Sequence, residues 1–110
     1  MGAHAVIRAS VFNHLDILRM MAARIPPQRM AAALNEIPVV NGLTALHDTV
    51  LRGSMTVPER LGGYLDQIRW AVGLGARYDI EDFSGRTQIG IARGVRDPKV
   101  RDLLVEALTG

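Results

Sequence analysis

The sequence predicts an all-α protein in which short helices form repeated pairs. Apolar residues recur at intervals of three and four in several stretches, the spacing of one helix face. Proline or glycine bounds each stretch, and the same order of turn, short helix, tight turn and longer helix returns along the chain. A single pair cannot bury its apolar face, whereas stacked pairs can. This pattern is typical of a helical solenoid with extended, hairpin-like connections.

Proline, glycine and threonine mark the ends of the predicted helices. Pro26 and the proline after it end the second helix, because a residue before proline is displaced from the helical region. Thr44 and Thr87 are suited to cap the helices that follow them, and Pro98 to begin the last. Gly53 can close the helix that Thr44 opens. The predicted helices span residues 3–12, 15–23, 28–36, 43–52, 64–74, 87–92 and 98 onward, and extended segments lie at 37–42 and 77–83.

Residues 54–63 show no helical periodicity. Pro58, Gly62 and Gly63 interrupt this segment, which predicts a loop of ten residues between two helices. Loops held on a rigid scaffold often determine specificity, so this loop is a candidate binding element. A tolerated insertion without a role is the alternative interpretation.

A turn glycine, a helix-capping threonine, a leucine and a histidine follow one another at Gly42, Thr44, Leu46 and His47. A glycine and alanine pair ends the same unit, and a turn glycine and a threonine open the next. This order resembles the ankyrin repeat, a unit of about 33 residues with the signature T-P-L-H-x-A. The resemblance covers nearly the whole chain and is clearest for residues 41–92. The motif residues are Gly42, Thr44, Leu46, His47, Gly75, Ala76, Gly85 and Thr87.

Several positions depart from the ankyrin pattern. Gly85 lies 43 residues after Gly42, about ten more than the family period, and the excess falls in residues 54–63. Gly90 and Arg96 stand where the family has a histidine and an inter-helix glycine. The resemblance nevertheless implies a short ankyrin-type solenoid forming a single domain. Its three irregular units are expected at about residues 1–38, 39–81 and 82–110.

Composition excludes several classes of site. The chain has no cysteine, so disulfides and cysteine-ligated metals are excluded, and its three histidines lack metal-ligand spacing. The 13 Lys and Arg residues are interleaved with 11 Asp and Glu, which argues against a nucleic-acid surface. No apolar run approaches the length of a membrane span. We therefore expect no metal or cofactor and a cytoplasmic protein, with the nucleus as the alternative.

The resemblance implies a non-catalytic module that binds a partner protein through the repeat tips and the inter-helix loop. Trp70 falls outside the apolar stripe of its helix and is either a binding anchor or packed under the loop. The candidate contact residues are Val40, Asn41, Met55, Arg60, Tyr64, Trp70, Arg77, Tyr78, Asp79 and Phe83.

Two other functions remain open from the residues. One is a small enzyme of isomerase or cyclase type acting on an apolar molecule, with His47, Asp48 and Asp66 as proton carriers. The resemblance instead implies a structural role for His47, and no nucleophile or phosphate-binding motif is present. The other is a homo-oligomeric assembly protein, because 48% of residues are hydrophobic and an uncapped array leaves apolar ends exposed.

Overall fold

A computed structural model describes residues 19–20, 23–37 and 42–110. The first predicted helix, most of the second, and the candidate contact residues Val40 and Asn41 lie outside these residues. The described residues are helical or irregular, with no β-strand among them, so the all-α prediction is confirmed for this part of the chain. The helices are α1 (Pro27–Asn35), α2 (Ala45–Met55), α3 (Pro58–Gly73), α4 (Gln88–Arg93) and α5 (Pro98–Thr109).

Local capping signals determine where most of these helices begin. Thr44 and Thr87 cap α2 and α4, each accepting a hydrogen bond from a backbone N–H three residues later. Proline opens α1, α3 and α5, where its missing N–H would have no helical partner. Asp97 caps α5 by accepting from the N–H groups of Lys99 and Val100. The predicted starts at Thr44, Thr87 and Pro98 are confirmed.

The helices form two pairs that lie side by side. The first pair is α2 with α3, the second is α4 with α5, and α2 contacts α4 while α3 contacts α5. Helix α1 contacts α2. Each fully buried aliphatic side chain at these contacts contributes about 1.5–3 kcal/mol. The largest of them are Met30, Leu34, Leu46, Val50, Ile68, Leu104 and Leu108.

The predicted loop at 54–63 is wrong. Helix α2 continues to Met55 and α3 begins at Pro58, so Thr56 and Val57 alone join the two helices. Gly53 does not end α2 either: a Cβ at this position would lie 3.3 Å from Leu104 Cδ2, which makes it a close-packing glycine inside the helix. The additional residues of this unit therefore lengthen two helices. They do not form a separate binding loop.

Replacing Gly62 with Ala tests this helical assignment. Gly62 lies inside α3 and a Cβ there would meet no atom within 4 Å. We expect Gly62→Ala to raise the free energy of unfolding by about 1 kcal/mol, the difference in helix propensity. Urea denaturation followed by circular dichroism measures the change. Gly85→Ala is the control, because its φ of +80° disfavours alanine and predicts a loss. An unchanged or lower stability for Gly62→Ala would contradict the helix.

Candidate functional site

His47 lies in the first turn of α2, is fully buried, and uses both ring nitrogens in hydrogen bonds. The backbone N–H of Thr44 donates to Nδ1 over 3.1 Å. Because that N–H can only donate, Nδ1 is the acceptor and the ring proton is on Nε2. The Nε2–H group then donates to the backbone carbonyl of Arg86, 2.9 Å away. His47 therefore connects the first helix pair to the turn before the second.

The hydroxyl of Thr44 is the centre of the same network. It accepts from the backbone N–H of His47 over 3.2 Å and from Gln88 Nε2 over 3.0 Å. Its own proton is then directed to His47 Nδ1, 2.8 Å away. Gln88 Oε1 accepts in turn from the N–H of Ile80 over 3.0 Å. The starts of α2 and α4 are thus joined by buried polar contacts.

Burial lowers the pKa of His47 below its ordinary value of 6.5, although the Arg86 carbonyl and the nearby Asp82 carboxylate partly oppose this shift. A second ring proton would have to occupy Nδ1, where the Thr44 N–H already points. His47 is therefore neutral at pH 7 and has no free nitrogen with which to transfer a proton to a ligand.

The turn of residues 82–86 is held by the carboxylate of Asp82, whose side chain is 1% exposed. Its Oδ1 accepts from the N–H groups of Ser84 and Arg86 over 2.8 and 2.9 Å. Its Oδ2 accepts from Arg86 Nε over 3.0 Å. Burial raises the pKa of Asp82, but these donors outweigh it and hold the pKa below the usual value. Gly85 completes the turn in the left-handed region.

Phe83 projects from this turn beside Gly42. Its backbone N–H donates to the Gly42 carbonyl over 3.3 Å. A Cβ on Gly42 would collide with the Phe83 ring, and Gly42 has a φ of +68°, so both space and backbone conformation require glycine there. The Phe83 side chain is nevertheless 69% exposed. The turn thus presents an aromatic ring to solvent on a fixed backbone.

Exposed apolar side chains occur at two places along the helix pairs. Tyr78 and Phe83, 40% and 69% exposed, lie in the connection between the pairs. Met55 and Val57, 76% and 53% exposed, lie at the junction of α2 and α3. The connection is anchored to α1, since the Arg77 N–H donates to Asn35 Oδ1 over 2.7 Å and Asn35 Nδ2 donates to the Gly75 carbonyl over 3.0 Å. The Arg77 guanidinium pairs with Asp79 at 3.0 Å.

The remaining candidate contact residues that the structure describes lie on α3, and they differ in exposure. Arg60 is exposed in the first turn of α3. Tyr64 is half-buried, and its Cβ would lie 3.5 Å from a Cβ placed on Gly53. Trp70 is half-buried and packs against the core, and the loop predicted to cover it is helical over residues 58–63. Trp70 is therefore largely a packing residue.

The residues of the enzyme hypothesis are each engaged in separate contacts. Asp48 is buried and pairs with Arg52, one turn away on α2, at 3.3 Å. Burial raises the pKa of Asp48, and Arg52 partly opposes the rise. Asp66 is exposed on α3 and pairs with Arg69 at 3.6 Å. His47 is held by Thr44 and the turn of 82–86, so in the described part of the chain no hydrogen bond or ion pair joins these three side chains.

A groove of about 730 Å³ lies between the α2–α3 junction and the second helix pair, and the sequence did not indicate it. We call it the inter-pair groove. The sequence gives little indication of this groove, because the groove depends on Gly90 and Gly94 having no side chain to fill the space beside α4. Its lining consists of Ser54, Thr56, Pro58, Arg86, Gly90, Ile91, Gly94, Val95, Arg96, Asp97 and Val100.

Within residues 19–20, 23–37 and 42–110, no cluster of three or more His, Asp or Glu side chains is suited to hold a metal ion. Over the same residues, every helix is too short or too polar to cross a membrane. Comparisons with protein-family models, curated proteins and solved structures each found no match to the chain.

Proposed function

We propose that this chain is a non-catalytic protein-interaction module built from irregular ankyrin-type units. Adjacent helix pairs, threonine caps at the start of α2 and α4, and left-handed glycines at Gly42, Gly75 and Gly85 support the repeat interpretation. The buried contact of His47 with the next turn supports a structural role for the motif histidine. The extra residues of the middle unit lie in its two helices.

The exposed ring of Phe83 on the turn of 82–86 is the observation on which the interaction role depends. The free energy decreases when a partner removes an exposed aromatic side chain from water, and aromatic residues often dominate binding energies. Asp82 already holds the backbone of this turn, so binding would order few additional groups. Tyr78, 40% exposed on the same connection, is a second aromatic side chain that a partner could cover.

Affinity capture from the native host tests this proposal. The immobilised chain is compared with the double variant Tyr78→Ala with Phe83→Ala, and captured proteins are identified by mass spectrometry. We expect a specific partner to be retained by the parent chain and reduced about tenfold or more by the double variant.

The matched control is Asp102→Ala with Glu106→Ala, two exposed positions on α5. This variant should capture the same partner at the parental level, and both variants should keep the parental circular dichroism spectrum. Equal capture by the aromatic variant, or no specific capture by the parent chain, would contradict the proposal.

A further inference from the structure

The inter-pair groove has an apolar side and a cationic side. Ile91, Val95 and Val100 are half-buried along it and leave part of each side chain accessible. Gly90 and Gly94 contribute no side chain, which keeps the groove open beside α4. Arg86 and Arg96 line the same groove, and both residues are exposed.

Positive charge predominates at the groove. Asp97 is the single acidic residue in its lining among the residues described, and Asp97 Oδ1 accepts hydrogen bonds from the N–H groups of Lys99 and Val100. Arg96 has no carboxylate within ion-pair distance among the residues that the structure describes. Arg86 binds the buried Asp82 through Nε, and its terminal nitrogens make no hydrogen bond within the described part of the chain.

Two more arginines lie close to the groove in sequence. Arg60 is two residues after the lining residue Pro58, and Arg93 immediately precedes the lining residue Gly94. Both are exposed, and neither is paired with a carboxylate in the described part of the chain. The exposed acidic residues Glu59 and Asp97 lie among these four arginines, so they reduce the positive charge of this surface without cancelling it.

We propose that the inter-pair groove binds an acidic peptide segment of a partner protein. This inference rests on the proposed interaction function and names the chemistry of its partner. Carboxylates of the peptide would receive paired N–H groups from Arg86 and Arg96, since the planar guanidinium matches a carboxylate. An apolar side chain between them would cover Ile91 and Val95. Among the described residues, the groove lining has no aromatic ring on which nucleic-acid bases could stack, so an acidic peptide fits it better than a single strand.

Fluorescence anisotropy tests the inference with a fluorescein-labelled peptide that repeats Glu-Leu-Glu-Gly. We expect saturable binding that weakens as salt is added, because ions screen exposed charges. The same peptide with Gln in place of every Glu should bind about tenfold more weakly or worse. A labelled thymidine oligonucleotide supplies the comparison with a different polyanion.

Two variants localise the binding to the groove. Arg96→Glu should weaken the acidic peptide about tenfold or more, whereas Arg29→Glu, an equal charge change at an exposed position on α1, should leave it unchanged. Gly94→Gln adds an uncharged side chain to the groove wall. Its backbone accepts any residue, with a φ of −83° and the nearest atoms 3.5 Å from a Cβ. Gly94→Gln should also weaken the peptide.

Several results would overturn the inference. One is that the acidic peptide does not bind. Another is that the peptide binds the parent chain, the Arg96→Glu variant and the Gly94→Gln variant equally well. A third is that the oligonucleotide binds more tightly than the acidic peptide. Capture of a partner that depends on Phe83 but not on Arg96 would contradict the groove and leave the interaction function standing. Partner capture that does not depend on Phe83 would contradict the interaction function itself.

Discussion

The variant His47→Leu is expected to lower the free energy of unfolding by about 3 kcal/mol, a large fraction of the stability of a small domain. Leucine has a suitable size but cannot accept from the Thr44 N–H or donate to the Arg86 carbonyl. Each buried group left without a partner costs about 1–3 kcal/mol. Urea denaturation followed by the fluorescence of Trp70, the single tryptophan, measures the loss.

Two further variants make this prediction specific. His47→Gln retains one donor and one acceptor, so we expect a smaller loss than for His47→Leu. Thr87→Ala removes a single cap bond to the Gly90 N–H and should cost about 1 kcal/mol. If His47→Leu were no more damaging than Thr87→Ala, the buried network would not be a main source of stability.

The pH dependence of the free energy of unfolding tests the lowered pKa of His47. Well above pH 6.5 the imidazole is neutral in both the folded and the unfolded chain, so protonation of His47 does not reduce the free energy of unfolding there. As the pH falls below 6.5 the unfolded chain binds a proton before the folded chain does, and the free energy of unfolding decreases. The decrease between pH 6.5 and about 5 should be much smaller in His47→Gln. A parallel profile for the two proteins would contradict the lowered pKa of His47.

The variant Asp82→Ala is expected to lower stability by about 2–3 kcal/mol and to weaken partner capture about tenfold or more. Alanine leaves the N–H groups of Ser84 and Arg86 without their acceptor and frees the Arg86 guanidinium. The backbone that positions Phe83 then loses its internal support. Chemical denaturation and affinity capture measure the two effects separately.

The variant Asp82→Asn is the matched control, because its side-chain oxygen can still accept from both N–H groups. We expect a loss of about 1 kcal/mol from the missing charge and nearly parental capture of the partner. Equal effects of alanine and asparagine would mean that charge, and not the two backbone bonds, holds the turn. Parental capture by Asp82→Ala would show that binding does not require a preformed turn.

The parts of the fold that depend on neighbouring residues could be predicted from the sequence. Thr44, Thr87 and Pro98 mark helix starts because a cap or a first-position proline acts within one turn of the chain. The end of α2 could not be predicted in this way. Gly53 satisfies the pattern of a helix end, but α2 continues through it to Met55. A Cβ at Gly53 would lie 3.3 Å from Leu104 Cδ2, so the packing of a helix about fifty residues away in sequence favours glycine there.

The candidate site could be predicted from the sequence only in part, because most of its contacts join residues that are far apart in the chain. The resemblance implied a structural role for His47, and its two engaged ring nitrogens agree with that role. The buried partner Gln88 carries no local signal that separates it from exposed polar residues. The inter-pair groove joins residues 54–58 to 86–100, so only the packing of α2, α3, α4 and α5 brings it together.

The bond between His47 and Arg86 spans 39 residues and makes the two helix pairs dependent on each other. In linear repeat arrays, stability is close to the sum of the intrinsic terms of each repeat and the coupling terms between neighbours. Here the coupling includes a buried polar network in addition to apolar contact. Fraying of α4 would therefore remove the partners of Thr44 and His47 at the start of α2. The two pairs should melt as one cooperative unit, without a stage in which the second pair alone has unfolded.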